Sequence, residues 1–290
     1  MTDVLLVTCA AWPDGEPEGQ LLLEDLARRG LEARWAAWDD PEVDWRGARI
    51  VAVRSVWDYE ARRAEFLRWA ASVGPTLLNG AEVFAWNTDK AYLLSLMDAG
   101  LPVVPTLLAD DEGELAPALA AFERSVVKPR VGASGRGVVV FDGRPGGPPA
   151  LDETLLEPGP WVVQPLVESV WSEGETSVFV LGGRPVGQVR KRPAPGGEIR
   201  VHEEYGGHSV AVPLTEEAAA LARRTVEVAE GLLGRALPYA RVDLMRDAGG
   251  ALCLTELEVT EPGLYLDVVP EMATAFGDLV EELLGGERPE

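Results

Sequence analysis

The sequence predicts an α/β protein: a parallel α/β lobe followed by two lobes of mixed α+β structure. Two observations carry this. Short apolar strand-like runs alternate with helical spacing up to about residue 79, and beyond it strand pairs are joined by glycine-rich turns and flanked by amphipathic helices. The predicted lobes are 1–79, 80–162 and 163–290.

Val4 to Val7 is a β-branched and leucine run ending at Thr8-Cys9. A loop from Pro13 to Gly19 follows, and Leu21, Leu22, Leu23 and Leu26 at helical spacing run to a stop at Gly30. Strands at Ala33 to Trp35 and Ile50 to Val53 alternate with helical patterns that include Phe66, Leu67 and Ala70 before Gly74-Pro75. From Asn87, the spacing of Ala91, Leu94 and Met97 predicts a helix ended by Gly100, with Lys90 in its first turn. A strand at Val103 to Leu108 and a helix through Leu119 come next.

Ser125 to Pro129 and Val138 to Phe141 read as strands joined by a glycine-rich loop, and Asp142 to Pro149 as a surface loop. Trp161 to Pro165, Thr176 to Leu181 and Pro185 to Arg190 are strand-like, the last two joined at Gly182-Gly183. Thr215 caps a helix with Glu216 and Glu217 in its first turn. Tyr239 to Met245 and Ala251 to Val259 form a hairpin, and a final helix covers Pro270 to Leu284.

The 290 residues carry 26 Lys+Arg against 48 Asp+Glu, a formal net charge of −22. Nucleic acid and anionic membranes need basic surface, so neither is an expected partner. Apolar residues at 47% and nine Trp supply a sizeable core. No apolar run approaches the ~20 residues that span a bilayer. Met1-Thr2-Asp3-Val4 lacks the basic start of a secretion signal, and the two cysteines, Cys9 and Cys253, sit in strand-like runs as buried thiols. A cytoplasmic location is expected.

Five groups of residues carry chemistry. Gly132-Ala-Ser-Gly-Arg-Gly137 joins two strands rather than opening a helix, which excludes a dinucleotide fingerprint; it reads as an anion-covering lid or as a tight hairpin. Lys128, ending a strand just before it, is a point charge for phosphate or a snorkelling strand-end lysine. Lys90 is a cation where a helix N-terminus disfavours one, which suggests a ligand. Strand alternation puts Arg241 with Asp243, and Glu256 with Glu258, on common faces opposite Val242, Leu244, Leu257 and Val259. Should those faces coincide, the carboxylates need cations between them, and Mg²⁺ suits such donors; the alternative is a solvated acidic face. The cations Arg190, Lys191, Arg192 and Arg200 either clamp an anion or serve surface acids. Neither His202 nor His208 has zinc-ligand spacing, and no hydrolase nucleophile motif occurs.

In order, Lys90, Lys128-Pro129 with Gly132 to Gly137, Gln164-Pro-Leu-Val167, Glu175, Arg241-Val-Asp243 and Glu256-Leu-Glu258 resemble the ATP-grasp superfamily. Arg190, Arg200 and Gly206-Gly207 look like a segment of its glutathione-synthetase-like members, while Arg54-Ser55, Trp86 to Lys90 and Glu256 to Pro262 look most like cyclo-ligases that close O-ureidoserine to cycloserine. The resemblance implies the ATP-grasp fold, with ATP between two lobes. Lys90 and Lys128 would meet its phosphates beneath a lid containing Gly132, Ser134 and Gly135; Gln164, Pro165, Leu166 and Val167 would meet adenine and Glu175 the ribose. Asp243, Glu256 and Glu258 would hold Mg²⁺, two ions with Mn²⁺ as a substitute, and Arg241 would steady the transferring phosphoryl group. Arg54, Arg190, Arg200 and Gly207 would touch substrate. The family has Asn at the position of Glu258, so Glu258 and Glu261 both stand as the third metal ligand.

The activity implied is ATP- and Mg-dependent ligation of a carboxylate to an amine on small amino-acid-like substrates, through an acyl phosphate with release of ADP and phosphate. Intramolecular ring closure and nucleotide binding without turnover are the alternatives. A homodimer is an open expectation.

Overall fold

The computed structural model describes residues 2–143 and 157–285. Most of the predicted surface loop Asp142 to Pro149 lies outside them.

The first sheet is parallel, with β2 (Ala33–Ala37) and β3 (Ile50–Ser55) flanking β1 (Val4–Thr8). Both β1 and β3 are buried throughout, as a sheet covered on two faces requires. Alternation divides them: Val4, Leu6, Ile50 and Ala52 pack toward α1 (Gln20–Arg28), and Leu5, Val7, Val51 and Val53 toward α2 (Arg63–Val73).

The predicted helix from Asn87 is two helices. α3 (Ala81–Asn87) ends at the residue expected to begin one, and α4 (Tyr92–Asp98) starts after the cap Ala91. Lys90 therefore lies in the connection, not in a first helical turn. The asparagine side chain explains the break: Asn87 Nδ2 donates to Leu257 O (2.6 Å), and its Oδ1 accepts from Val259 N (3.1 Å).

The second sheet has the order β4-β7-β5-β6, from β4 (Leu107–Ala109), β5 (Arg124–Pro129), β6 (Val139–Asp142) and β7 (Trp161–Pro165), with α5 (Glu112–Ala120) against it. The strand predicted from Val103 is shorter; Val103 makes only an isolated bridge to Leu254.

After the short α6 (Ser169–Ser172), the third sheet runs β10-β9-β8-β11-β12, from β8 (Glu175–Leu181), β9 (Arg184–Arg192), β10 (His208–Ala211), β11 (Tyr239–Arg246) and β12 (Leu252–Glu258). One face, including Val178, Val242, Leu244 and Leu257, packs on α4 and on α7 (Glu216–Leu233). Thr215 caps α7 as expected, accepting from Ala218 N. Phe179, Leu181 and Tyr239 on the other face meet α8 (Met272–Leu283) and the first sheet. Apolar packing thereby joins the third sheet to the first sheet and to the helices on both its faces, while its polar positions line a cleft.

Candidate active site

A cavity of about 310 Å³ is lined by residues of the second and third sheets and by connecting segments, those of the first sheet included. Lys128 reaches it from the end of β5. Its ammonium has no carboxylate within ion-pair distance among the described residues, and burial, together with the like charge of Lys90, pulls its pKa down. Lys90 sits opposite, with Nζ donating to Gly132 O (2.7 Å) and 3.2 Å from Glu256. Burial alone would lower its pKa, but Glu256 holds it raised.

Gly132, Ser134 and Gly135 also line the cavity, in a loop that needs the left-handed region at Ser134, Gly135 and Gly137. That loop is docked on the N-terminal lobe: Ala133 N donates to Glu60 (2.8 Å), and Arg136 pairs with the same carboxylate and donates to Trp57 O (3.0 Å). Gln164, Pro165, Leu166 and Val167 form the adjacent wall. The partner strand β4 pairs only with Trp161 to Val163, so the 164–167 backbone has an edge free of β4. The Gln164 side chain turns away to Thr106 (2.9 Å).

On the facing wall Arg241 is in register with Glu258 and Asp243 with Glu256, so the two strand faces do coincide. Asp243 is the inner member. Ser177 Oγ donates to it (2.7 Å), Arg241 contacts both its oxygens (3.0 and 3.1 Å) and Lys191 lies 3.1 Å away. Burial works against ionising Asp243, but Arg241 and Lys191 hold its pKa well below the usual carboxylate range. Arg241 also pairs with Glu258. Burial pushes Glu258 up to about 8 and Glu261 to about 7. Glu175 pairs with Lys191, yet burial still raises its pKa.

This surplus of oxygen donors fits a divalent cation, which would relieve carboxylates that burial and mutual repulsion hold near neutral. The predicted triple is not gathered as a ready coordination group, however. Among the described residues no cluster of three such donors stands at metal-binding separation, because Arg241 lies between Asp243 and Glu258.

Arg200 lines the cavity, stacked 3.6 Å over the Tyr205 ring and paired with Glu198 (2.7 Å). The other predicted substrate contacts do not line it. Arg54 is fully buried and spends its charge on Glu16 (2.8 Å) and Pro262 O (2.6 Å). Arg190 points to the opposite face of β9, since the inward position belongs to Lys191. Gly207 closes a turn, its N–H donating to His202 O (3.2 Å), where an added Cβ would meet the Val201 carbonyl.

Tyr59, Ser177 and Tyr265 are site-associated residues that motif reading passed over, and Lys191, read there only as one of a cluster of cations, is the member of that cluster which joins the wall of acids. Lys191 was legible, because alternation from Glu175 across the hairpin assigns it inward and Arg190 outward. Tyr59 and Tyr265 carried no such signal, coming from irregular segments; Tyr265 holds φ at +52°, unusual for a side chain of that size. Cys9 and Cys253 are buried free thiols, as expected.

The lobes, lid and wall of acids define an ATP-dependent ligase, and the chain belongs to the ATP-grasp family: residues 90–271 match the model of the prokaryotic glutathione synthetase ATP-grasp domain. Residues 4–79 match the model of the D-cycloserine synthetase DcsG N-terminal domain. The cycloserine biosynthesis protein DcsG of Streptomyces lavendulae is 30% identical over 276 residues, 91% of this chain and 92% of that protein. A glutathione synthetase of Bordetella parapertussis is 28% identical over 71% of this chain and 64% of its own length. The crystal structure of D-cycloserine synthetase DcsG superposes with a TM-score of 0.83, at 30% identity, covering 97% of this chain and 99% of that one. The ATP-grasp ligase PsnB, 16% identical with a TM-score of 0.65 over 98% of this chain and 99% of its own, shares the fold. The chain is thus an enzyme of the ATP-grasp type, a class that forms C–N bonds by joining a carboxylate to an amine.

Proposed function

We propose that this ligase activates the carboxylate of a small amino-acid-like substrate with ATP and Mg²⁺. The carboxylate oxygen attacks the γ-phosphorus, the bond to the β-phosphate oxygen breaks, and ADP leaves. An amine then attacks the acyl phosphate, phosphate departs, and the nitrogen loses a proton to give the amide. No protein nucleophile is required, because positioning and charge neutralisation dominate such transfers.

The observation that carries this reading is Lys128, a half-buried lysine without an ion-pair partner among the described residues, across one cavity from an acid-rich wall. Phosphates there would restore its favoured charge. Lys90 would share them, the loop at Gly132, Ser134 and Gly135 would cover them, the 164–167 edge would meet adenine and Glu175 the ribose. Glu256 and Glu258 would hold Mg²⁺ with Asp243, two ions in all with Mn²⁺ as a substitute; bound metal neutralises phosphate charge. Arg241, freed from its carboxylates, would face the transferring group. The lobes are taken as 1–79, 80–162 and 163–290, in a cytoplasmic homodimer that engages neither nucleic acid nor membrane; no helix among the described residues is long and apolar enough to cross one.

The test is ADP release across a panel of amino acids and amines, singly and in pairs. Nucleotide binding with no ADP from any combination would overturn the reading. A second reading, intramolecular ring closure, is favoured by the match of residues 4–79 to the cycloserine synthetase N-terminal domain. One organic substrate sufficing for ADP release decides for it.

A further inference from the structure

Five of the acids that line the cavity already have cations. Glu16 pairs with Arg54, Glu175 with Lys191, Asp243 with Arg241 and Lys191, Glu256 with Lys90, and Glu258 with Arg241. Glu261 lines the same space, is only 8% exposed, and has no Lys or Arg within ion-pair distance among the described residues. The Tyr59 hydroxyl, in the same cavity, favours its ionised form.

The segment that carries it is anchored on both sides. Asn87 Oδ1 accepts from Val259 N (3.1 Å) and from Thr260 Oγ1 (3.0 Å). Arg54 donates to Pro262 O (2.6 Å), and Glu16 accepts from Leu264 N (2.8 Å). A buried carboxylate held this firmly, with no cation of its own, is costly unless a ligand supplies one. Trp57, Tyr59 and Tyr265 contribute aromatic surface to the same cavity, which suits an ammonium group.

Two cations could answer: a metal ion or a substrate ammonium. A metal ion needs several oxygens converging, whereas the acids nearest Glu261 in sequence on this wall, Glu256 and Glu258, already pair with Lys90 and Arg241. An ammonium needs one carboxylate and aromatic walls. The charged side chains acting on Glu261 include Arg241 and Lys90, the cations beside the transferring phosphoryl group in the function proposed above. In an α-amino acid the ammonium lies one carbon from the carboxylate, so a group that reads it must stand beside that centre, as Glu261 does.

We propose that Glu261, with Tyr59, binds the free ammonium group of the amino acid whose carboxylate is phosphorylated, so that the enzyme selects unacylated amino acids as acyl donors. This rests on the ligase function proposed above and adds the group that sets its substrate class.

The test compares wild type with Glu261→Gln, a change of charge at constant shape, after circular dichroism and thermal unfolding establish that both are folded. ADP release is followed for a panel of D- and L-amino acids and their N-acetyl and des-amino counterparts, and binding of the same compounds is titrated in the presence of Mg²⁺ and a non-hydrolysable ATP analogue. The expected result is that wild type takes amino acids and rejects the N-acetyl forms. The variant should lose amino-acid affinity about 10- to 100-fold, as expected for a hydrogen bond between charged groups, while the KM for ATP and the half-saturating Mg²⁺ concentration stay within twofold. A variant whose Mg²⁺ requirement rises while amino-acid affinity is unchanged would instead make Glu261 a metal ligand, and N-acetyl acceptance by wild type would equally overturn the proposal. Absence of ADP from every wild-type reaction would sink the ligase function alone; amino-acid binding weakened in the variant would still uphold the subsite.

Discussion

Lys191 bridges two carboxylates, pairing with Glu175, its register partner across β8 and β9, and standing 3.1 Å from Asp243 Oδ2. Burial alone would lower this ammonium's pKa, but Asp243 and Glu175 hold it well above the ordinary lysine value. The charge is therefore part of the fold's own electrostatics. Removing one partner of a buried ion pair leaves the other uncompensated and costs about 3–5 kcal/mol. Lys191→Met should lose stability on that scale in urea unfolding, and Arg190→Met, one residue away on the other face, should lose under about 1 kcal/mol. Equal losses would refute the assignment of the two faces.

Lys128 behaves in the opposite sense, because nothing among the described residues compensates it. Burial lowers its pKa, and an anion held beside it would restore the favoured charge. Lys128→Ala should be neutral or slightly stabilising in the free protein and should weaken ATP binding about 10- to 100-fold, the scale of a charge-assisted hydrogen bond. Calorimetric titration with ATP checks it. An unchanged affinity removes Lys128 from the nucleotide site.

Much of this arrangement was legible in the sequence, for a definable reason. A strand has a strict two-residue repeat, so Arg241, Asp243, Glu256 and Glu258 could be assigned to one face before their register was known, and the register then brought them together. Irregular backbone has no such rule. Arg54 lies near the end of a regular strand, but its partner Glu16 comes from a loop, and Tyr59 reaches the cavity from a short turn beyond that strand. Lys90 was misplaced for a related reason: helix periodicity at Ala91, Leu94 and Met97 does not record that Asn87 bonds to β12 and ends the preceding helix. The metal triple was legible as a composition of oxygens, but the insertion of Arg241 between Asp243 and Glu258 is a tertiary fact.

The raised carboxylates give the ligand-free protein a pH dependence of definite sign. Burial lifts Glu258 to about 8 in the folded chain, against an unfolded value near ~4.3. Between those values the native state binds more protons than the unfolded one, so stability falls as pH rises through the window. Glu261, lifted to about 7, adds in the same direction. Without ligands, the melting temperature of Glu258→Gln should therefore fall less between pH 5 and pH 8 than that of wild type, a window about as wide as the displaced titration. Mg²⁺ with ATP should raise the wild-type melting temperature more at pH 8 than at pH 6, because it offsets charge present only at the higher pH. Parallel curves for the two proteins would refute a raised Glu258.

The docked lid rests on Glu60. One carboxylate accepts from Ala133 N (2.8 Å) and pairs with Arg136, so the glycine-rich loop is fixed to the N-terminal lobe by a side chain that lies outside the cavity lining. Arg136 is 42% exposed in its side chain, and its guanidinium also donates to Trp57 O (3.0 Å). Removing Glu60 leaves that backbone contact and the Lys90 bond to Gly132 O at the start of the loop, and the positive-φ residues Ser134, Gly135 and Gly137 beyond it then supply a ready hinge. An exposed ion pair contributes about 0.2–1 kcal/mol, and the hydrogen bond from the half-buried Ala133 amide adds about 0.5–1.5 kcal/mol. Together these correspond to roughly a 3- to 70-fold shift toward the open loop at RT ≈ 0.59 kcal/mol. Glu60→Ala should accelerate tryptic cleavage after Arg136 by a factor in that range and raise the KM for ATP, with global stability in urea changed by less than about 2 kcal/mol because no core residue is disturbed. Bound ATP should restore protection by giving the lid a second partner. Cleavage at the wild-type rate would mean that the loop is held by its own conformation, and not by Glu60.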